Sequence, residues 1–241
     1  MPPDLDPARL PTHVAMIMDG NGRWAKKRLK NRVIGHEQGA EVVRRIVKMT
    51  RRLGIPVLTL YAFSTENWGR PRSEVDALMR LLKKFLVEER ALLSDNDIRL
   101  SVIGEMDRLP ASVQAPLHQT LEMTANNQAM VLNLALSYGG RSELVHAVRA
   151  IAGAVSQNAL APDAIDEQTI SDHLFTRSLP DPDVMIRTSG EMRISNFLLW
   201  QLAYTEIFFT DTLWPDFSET EYVEILKAYQ HRDRRFGKVN G

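Results

Sequence analysis

The sequence contains no cysteine, which excludes disulfides, thiolate nucleophiles and thiolate metal sites. It also lacks an excess of charge of either sign, because 30 Lys and Arg residues balance 30 Asp and Glu residues. A balanced chain has no global electrostatic attraction to nucleic acid. No apolar run approaches the roughly 20 residues that span a bilayer, and the N-terminus lacks the basic and apolar regions of a secretory signal. We therefore predict a cytoplasmic protein that binds no nucleic acid.

Short apolar runs alternate with longer amphipathic segments along the 241 residues, a pattern typical of one α/β domain. We predict a mostly parallel central sheet of about six strands covered by helices. The predicted strands are Val14 to Met18, Val57 to Ala62, Ile98 to Ile103, Met130 to Leu136, Val184 to Ile186 and Ile207 to Phe209.

Residues that typically start or end helices follow most of these strands. Gly54 and Pro56 end a predicted helix that begins at Glu37. Ser73 to Asp76 has the spacing of a capping box, with apolar positions continuing to Leu93. We also predict helices after Pro110, from Ser142 to about Val155, and after Ser218.

The first polar cluster, residues 19–25, follows the first strand, at the sheet edge where α/β proteins bind ligands. Gly20 and Gly22 allow a close backbone approach to an anion at the next helix N-terminus. The segment fits G-x-G-x-x-A, but the following strand begins too late for a dinucleotide-binding unit. Asp19 is explained either as a turn or capping residue, or as a Mg²⁺ ligand beside a phosphate.

Two further polar clusters follow later strands. Residues 63–71 bring together Glu66, Asn67 and Arg70, more polar groups than a helix-entry loop needs. Residues 187–196 carry arginines and serines around a glycine, which is typical of a phosphate clamp. A solvent-exposed loop with incidental arginines has the same composition, so that alternative stays open. Glu206 lies in an apolar setting, where a carboxylate is usually bound to a metal or paired with an arginine.

Taken together and in order, these clusters resemble the cis-prenyltransferases, and among them the bacterial undecaprenyl diphosphate synthases. The resemblance covers nearly the whole chain. Its main motifs are residues 13–24, Gly35-His36 with Gly39-Ala40, residues 64–71, Asn133 with residues 138–141, residues 186–201 and residues 214–217. The trans-prenyltransferases use Asp-Asp-x-x-Asp helices, and this sequence has no Asp-Asp pair.

The resemblance implies a Mg²⁺-dependent transferase that adds isopentenyl diphosphate head-to-tail to an allylic diphosphate, with farnesyl diphosphate the expected primer. The expected product is undecaprenyl diphosphate, a lipid-carrier precursor for cell-wall synthesis, and the lipid leaves room for peripheral contact with the inner face of the membrane. A shorter cis-prenyl diphosphate is the alternative product. The growing chain needs an apolar tunnel, which the helix from Val75 to Leu93 and the strand from Met130 to Leu136 could line.

The resemblance also implies roles for individual residues. Asp19 and Asn67 are expected to be catalytic, with Asn67 orienting the substrate because an amide is a poor base, and Mg²⁺ to be held by Asp19 and Glu206. The expected substrate-binding residues are Gly20, Asn21, Gly22, Arg23, Trp24, Arg32, His36, Ser64, Thr65, Glu66, Trp68, Arg70, Arg187, Arg193, Ile194 and Ser195. Met192 stands where some relatives carry His, and a thioether is a poor Mg²⁺ ligand.

Two other functions stay open at this point. One is a non-catalytic partner subunit, although such relatives typically lack the residues present here as Asp19 and Asn67. The other is a haloacid dehalogenase-type phosphohydrolase, which needs a second Asp where Asn21 stands. We further expect residues 1–11 to be flexible, and residues 230–241, which contain the family's Arg-x-Gly tail at Arg235 to Gly237, to lie at a homodimer interface.

Overall fold

The apolar runs form the strands of one six-stranded sheet in the computed structural model, which describes residues 4–232. The strands are β1 (His13–Ile17), β2 (Val57–Ser64), β3 (Ile98–Ile103), β4 (Met130–Tyr138), β5 (Val184–Arg187) and β6 (Glu206–Phe209). All neighbouring strands pair in parallel. The predicted α/β class and strand number are confirmed, and β2 and β4 extend two residues beyond their predicted ends because Ser64 and Tyr138 still pair with each other.

Eight α-helices cover the sheet in the described part of the chain. They are α1 (Asn21–Lys27), α2 (Arg32–Leu53), α3 (Arg72–Glu88), α4 (Arg90–Asp95), α5 (Ala111–Met123), α6 (Gly140–Ser156), α7 (Glu167–His173) and α8 (Glu219–Gln230). Helix α2 begins five residues before its predicted start, because the Asn31 side chain accepts a hydrogen bond from the Val33 N–H and caps the helix there. None of the helices within residues 4–232 is long and apolar enough to cross a membrane.

The predicted capping box at Ser73 is wrong. Helix α3 begins at Arg72 with Pro71 at its N-cap and no side-chain cap, so Ser73 and Glu74 both lie inside its first turn. The predicted continuous helix to Leu93 is interrupted at Glu89, which is buried and accepts a hydrogen bond from Nε of Arg44 at 2.7 Å. This ion pair fastens the α3–α4 junction to α2.

Residues 4–11, in the segment expected to be flexible, make defined contacts with the rest of the fold. Leu5 is 4% exposed and packs into the main core. Asp6 is held by Gln230 through two hydrogen bonds, its N–H donating to Oε1 at 3.2 Å and its carbonyl accepting from Nε2 at 2.7 Å. The start of the chain is therefore fastened to α8. The expected Arg-x-Gly tail at 235–237 lies outside the described residues.

The sheet order is β3-β4-β2-β1-β5-β6, so β1 lies between β2 and β5. From β1 the chain crosses to β2 on one side, and from β5 it crosses to β6 on the other. Parallel α/β sheets bind ligands at such a switch point, beyond the carboxyl ends of the two strands. Asp19 follows β1 and Arg187 ends β5, so the topology brings the first and third polar clusters together.

Beneath this edge, His13 is buried in a hydrogen-bonded network. Its Nδ1 lies 2.7 Å from the Pro180 carbonyl oxygen and must donate to it, so Nε2 accepts from the Thr59 hydroxyl, also at 2.7 Å. Asn133 donates to the same hydroxyl oxygen at 3.1 Å. Burial lowers the pKa of His13 from 6.5 to about 4, with partial opposition from Pro180 and Asp183. His13 is therefore neutral in the folded protein near neutral pH.

This burial predicts an acid-sensitive fold. The unfolded chain protonates His13 below pH 6.5 and the folded chain only below about pH 4, so the stabilisation is complete above pH 6.5 and is lost as the pH falls toward 4. We expect the free energy of unfolding to drop by about 3 kcal/mol over this window from His13 alone. Urea unfolding at pH 7 and pH 4 measures it. The variant His13→Gln should show a shallower pH dependence, and the exposed-site control His118→Gln should match the wild type; an unchanged slope in His13→Gln would contradict the assignment.

Candidate functional site

Asp19 lies at the centre of the polar groups beyond the carboxyl ends of β1 and β5. Its Oδ2 accepts hydrogen bonds from Nη2 of Arg187 at 2.9 Å and Nη2 of Arg23 at 3.3 Å, and its Oδ1 accepts from the Gly20 N–H at 2.6 Å. Burial alone would raise the pKa of Asp19, but Arg187, Gly20 and Arg23 together hold the pKa below its ordinary value. About a third of the side chain stays accessible. Asp19 is therefore a fixed, ionised carboxylate open to a ligand.

Gly20 makes the turn from β1 into α1. Its φ of +109° is a conformation that residues with a side chain rarely adopt, and a Cβ there would meet Leu213 at 2.9 Å. Helix α1 starts at the next residue, so its first N–H groups have no partner within the helix. The backbone N–H groups at the start of α1 are therefore open to an anion, and the predicted anion-binding role of this turn stays a prediction.

The loop after β2 is closed by a capping box that the sequence did not reveal. The Asn67 Oδ1 accepts a hydrogen bond from the Ser64 N–H at 3.1 Å, and the Ser64 side chain accepts from the Asn67 backbone. The amide oxygen of Asn67 is thus already engaged, which agrees with an orienting rather than a basic role. Trp68 points away from the cavity described below: its Nε1 donates to Ser137 at 2.9 Å and its ring packs against Phe63.

Arg187 organises the loop after β5. Its Nη1 donates to the Arg193 carbonyl at 2.5 Å and to the Ser195 hydroxyl at 2.6 Å, while its side chain is only 4% exposed. Arg193 is much more accessible, at 60%, and pairs with Glu191, which also pairs with Arg23 at 3.1 Å. Arg187 is therefore buried and holds the loop in place, whereas the side chain of Arg193 is largely exposed to solvent.

Asn196, which the sequence analysis did not select, joins the two loops. Its Nδ2 donates to Oε1 of Glu66 at 2.9 Å and its Oδ1 accepts from the Arg141 N–H at 2.9 Å. Its φ of +61° is one that Asn adopts more readily than most residues. Burial alone would raise the pKa of Glu66, but the hydrogen bonds from Asn196, Ser64 and Thr65 lower it. The carboxylate is therefore held ionised.

Arg32, His36 and Arg70 form a second group of predicted diphosphate ligands, and all three face Glu74. Nη1 of Arg32 and Nη1 of Arg70 each donate to this carboxylate at 2.9 Å, and Nε2 of His36 lies 3.9 Å away. Burial and the neighbouring Arg70 lower the pKa of His36 to about 4, so its ring is neutral near neutral pH. Sequence reasoning missed Glu74, because it was taken for part of a capping box.

Most of these groups form the polar end of one cavity of about 720 Å³, whereas Arg23, Arg32 and Glu74 lie outside its lining. Its other walls are apolar and come from α2, α3, β2 and β4, with the contributions Gly39, Ala40, Val43, Leu78, Met79, Leu81, Leu82, Phe85, Leu60, Ala62, Phe63, Leu134 and Leu136. Ten of the predicted site residues lie on the cavity: Asp19, Asn21, His36, Ser64, Glu66, Asn67, Arg70, Arg187, Arg193 and Ser195. The predicted helix after Pro71 and the strand from Met130 do line it.

Other predicted site residues lie behind the cavity wall or away from it. The Trp24 indole N–H is taken by Asp216 at 2.7 Å, with the Arg28 guanidinium over its ring. Ile194 packs against a buried apolar cluster that includes Ile17, Met185 and Phe197. Arg32 reaches the site through Glu74, and the Gly20 to Arg23 turn contributes backbone and the Arg23 guanidinium.

Glu206 lies apart from Asp19 within this chain, and its predicted role as a second Mg²⁺ ligand stays a prediction. It pairs with Val184, which pairs with Val14, whereas Asp19 follows Ile17. The two residues are thus five positions apart in strand register, which is about 16 Å along the strands at about 3.3 Å per residue. Glu206 instead accepts a hydrogen bond from Arg232, the arginine pairing that the sequence analysis left open.

The accessibility and charge of Asp19 can be compared with what a Mg²⁺ ion beside phosphates requires. Within residues 4–232 no cluster of three His, Cys, Asp or Glu side chains could hold a metal. Mg²⁺ is nevertheless commonly bound by one or two carboxylates with water and substrate phosphates as the remaining ligands. The accessible, ionised Asp19 oxygen fits that pattern, and Met192, at 80% exposure, contributes nothing to it.

Comparison with known proteins agrees with this geometry. The family model for undecaprenyl diphosphate synthase matches residues 17–237. An isoprenyl transferase of Geobacter sulfurreducens is 52% identical over 98% of this chain and 96% of its own. A ditrans,polycis-undecaprenyl-diphosphate synthase, (2E,6E)-farnesyl-diphosphate specific, of Pasteurella multocida is 50% identical over 97% of this chain and 98% of its own.

A solved structure is also closely similar. Lavandulyl diphosphate synthase from Lavandula x intermedia, crystallised with dimethylallyl diphosphate, superposes with a TM-score of 0.94 at 40% identity. The match covers 96% of this chain and 100% of that one. Relatives with differently named products thus share this fold.

Proposed function

The chain belongs to the undecaprenyl diphosphate synthase family of cis-prenyltransferases, and from that premise we propose that it condenses isopentenyl diphosphate with an allylic diphosphate, farnesyl diphosphate in the first cycle. The product is a long cis-polyprenyl diphosphate, undecaprenyl diphosphate by analogy with the relative from Pasteurella multocida. One observation carries the proposal: the ionised Asp19 and the surrounding arginines lie at the polar end of an otherwise apolar cavity.

In this proposal the allylic diphosphate lies against the α1 turn, with Arg23, Arg32, His36 and Arg70 around it. Its hydrocarbon tail enters the apolar part of the cavity, where each buried CH₂ contributes about 0.8 kcal/mol. The cavity would be the start of the tunnel expected from the resemblance.

Isopentenyl diphosphate lies against the loop after β5. Arg193 and Ser195 hold its diphosphate. Arg187 fixes the position of both, because it donates hydrogen bonds to the Arg193 carbonyl and the Ser195 hydroxyl. Glu66 and Asn67 line the same cavity, and Asn196 joins Glu66 directly to this loop. The attacking carbon must come within about 3–3.5 Å of the allylic carbon, so two loops fixed to each other favour the reaction.

The allylic C–O bond breaks and leaves its electrons on the departing diphosphate, while the double bond of isopentenyl diphosphate attacks the allylic carbon. One proton then passes from the condensing unit to the released diphosphate, and the new double bond forms. Arginine N–H groups and the α1 turn are preorganised around the charge that develops on the leaving diphosphate. Mg²⁺ held by Asp19 would supply further neutralisation of that charge.

The assay is direct. Purified protein with farnesyl diphosphate, labelled isopentenyl diphosphate and Mg²⁺ is expected to incorporate label into a long polyprenyl diphosphate, and mass spectrometry of the product gives its length. Removal of the metal with EDTA should abolish incorporation, and added Mg²⁺ should restore it. A short product would favour the alternative chain length; no incorporation by the homogeneous protein would favour a non-catalytic partner subunit and contradict the proposal.

The family membership excludes the phosphohydrolase alternative. The homodimer, the tail at its interface, the cytoplasmic location with peripheral membrane contact, and the role in cell-wall synthesis stay predictions.

A further inference from the structure

Glu74 takes the place in the cation cluster that a diphosphate would need. Its two carboxylate oxygens are divided between two arginines, Oε2 accepting from Arg32 and Oε1 from Arg70, each at 2.9 Å. Nε2 of His36 lies 3.9 Å from Oε1. Three of the four side chains that the proposed function places around the allylic diphosphate therefore face a single carboxylate of the protein itself, and Arg23 is the exception.

The position of Glu74 makes this contact persistent. The side chain is only 10% exposed, and it projects from the first turn of α3, which packs along the cavity through Leu78, Met79 and Leu82. Arg32 is 63% exposed and Arg70 is 37% exposed, so both guanidinium groups keep N–H groups accessible beyond the one given to Glu74. A diphosphate can approach the same cations, but it then meets a like charge at close range.

We propose that Glu74 is an internal counter-ion of the diphosphate site, which holds Arg32, His36 and Arg70 together when the site is empty and weakens the retention of diphosphate when the site is filled. The inference rests on the proposed function, because it takes these three residues as the diphosphate ligands. The expected consequence is faster release of pyrophosphate. An enzyme that releases pyrophosphate in each cycle benefits from a site that does not bind this product too tightly, and the negative charge of Glu74 opposes that binding.

The test is the binding of inorganic pyrophosphate to the full chain, measured by titration calorimetry in magnesium-containing buffer. Glu74→Gln keeps the size and two hydrogen-bonding atoms of the side chain but removes its charge. We expect it to bind pyrophosphate about tenfold tighter than the wild type. The matched control is Asp76→Asn, which removes the same charge from an exposed position two residues along α3 and should bind like the wild type.

Steady-state kinetics give a second readout that a purely structural role would not produce. Glu74→Gln should show a lower KM for the allylic diphosphate, a lower kcat, and stronger inhibition by pyrophosphate. Glu74→Ala serves as a second neutral variant, and thermal unfolding reports whether each variant is folded.

Each outcome is decisive. Tighter pyrophosphate binding by a folded neutral variant, with an unchanged control, supports the counter-ion role. Equal or weaker binding by both neutral variants overturns it, because Glu74 would then only position the cations. If the wild type and all variants fail to bind pyrophosphate, the diphosphate site itself is wrong and the proposed function fails with it.

Discussion

Replacing Asp19 with alanine should reduce turnover about a thousandfold, equivalent to about 4 kcal/mol of lost transition-state stabilisation. Asp19 is the carboxylate at the switch point of the sheet, ionised and accessible to a ligand. Its removal takes away the proposed Mg²⁺ ligand. It also releases Arg187 and Arg23 from their common anchor, so the donors around the leaving diphosphate lose their alignment.

Single-turnover incorporation of labelled isopentenyl diphosphate measures this effect without interference from product release. Asp19→Asn is the matched variant, since it keeps the size of the side chain and an oxygen for the Gly20 N–H but carries no charge. We expect it to be nearly as inactive as Asp19→Ala, and both to remain folded by circular dichroism. Near-normal rates in a folded Asp19→Asn protein would disprove the metal role and leave Asp19 as a turn residue.

The second large effect is expected at Arg187, where lysine should lower kcat/KM about a hundredfold despite preserving the charge. One guanidinium reaches Asp19, Ser195 and the Arg193 carbonyl at the same time from a site that is almost fully buried. Lysine carries its three donors on a single atom and cannot reproduce this fork. The loop after β5 would therefore lose its fixed distance from Asp19.

Arg193→Lys is the matched control, because Arg193 belongs to the same loop but is 60% exposed. An exposed arginine in a surface ion pair tolerates replacement by lysine far better. We expect the KM for isopentenyl diphosphate to rise about tenfold at most, with no change in kcat. Urea unfolding separates lost stability from lost chemistry in Arg187→Lys. Equal effects at the two positions would show that Arg187 contributes only its charge.

Much of the fold follows from the local sequence. The strand from Val57 is almost continuously apolar, as a strand covered on both faces must be, and Gly54 ends α2 in the left-handed conformation expected of a C-terminal glycine. Strand order is different, because it depends on contacts between distant segments. The pairing of β1 with β5 joins residues about 170 positions apart, and no local pattern specifies it.

The same difference between local patterns and long-range contacts decides which residues of the candidate site could be predicted. Asp19 and Arg187 follow apolar strands, so a general rule about strand ends locates them. Glu206 also adjoins an apolar strand, but it stands at the strand's beginning, and alternation of residue types does not reveal which end meets the ligand edge. Asn196 and Glu74 act through partners on other elements, so their roles became visible only with the distances to Glu66, Arg32 and Arg70.

The position of β1 has a consequence for synthesis on the ribosome. This strand is buried along its whole length, yet one of its two hydrogen-bonding neighbours, β5, is translated about 170 residues after it. Until then, one apolar edge of the nascent sheet has no partner and can pair with other chains. Translation of β5 thus both protects that edge and delivers Arg187, which supports the candidate site.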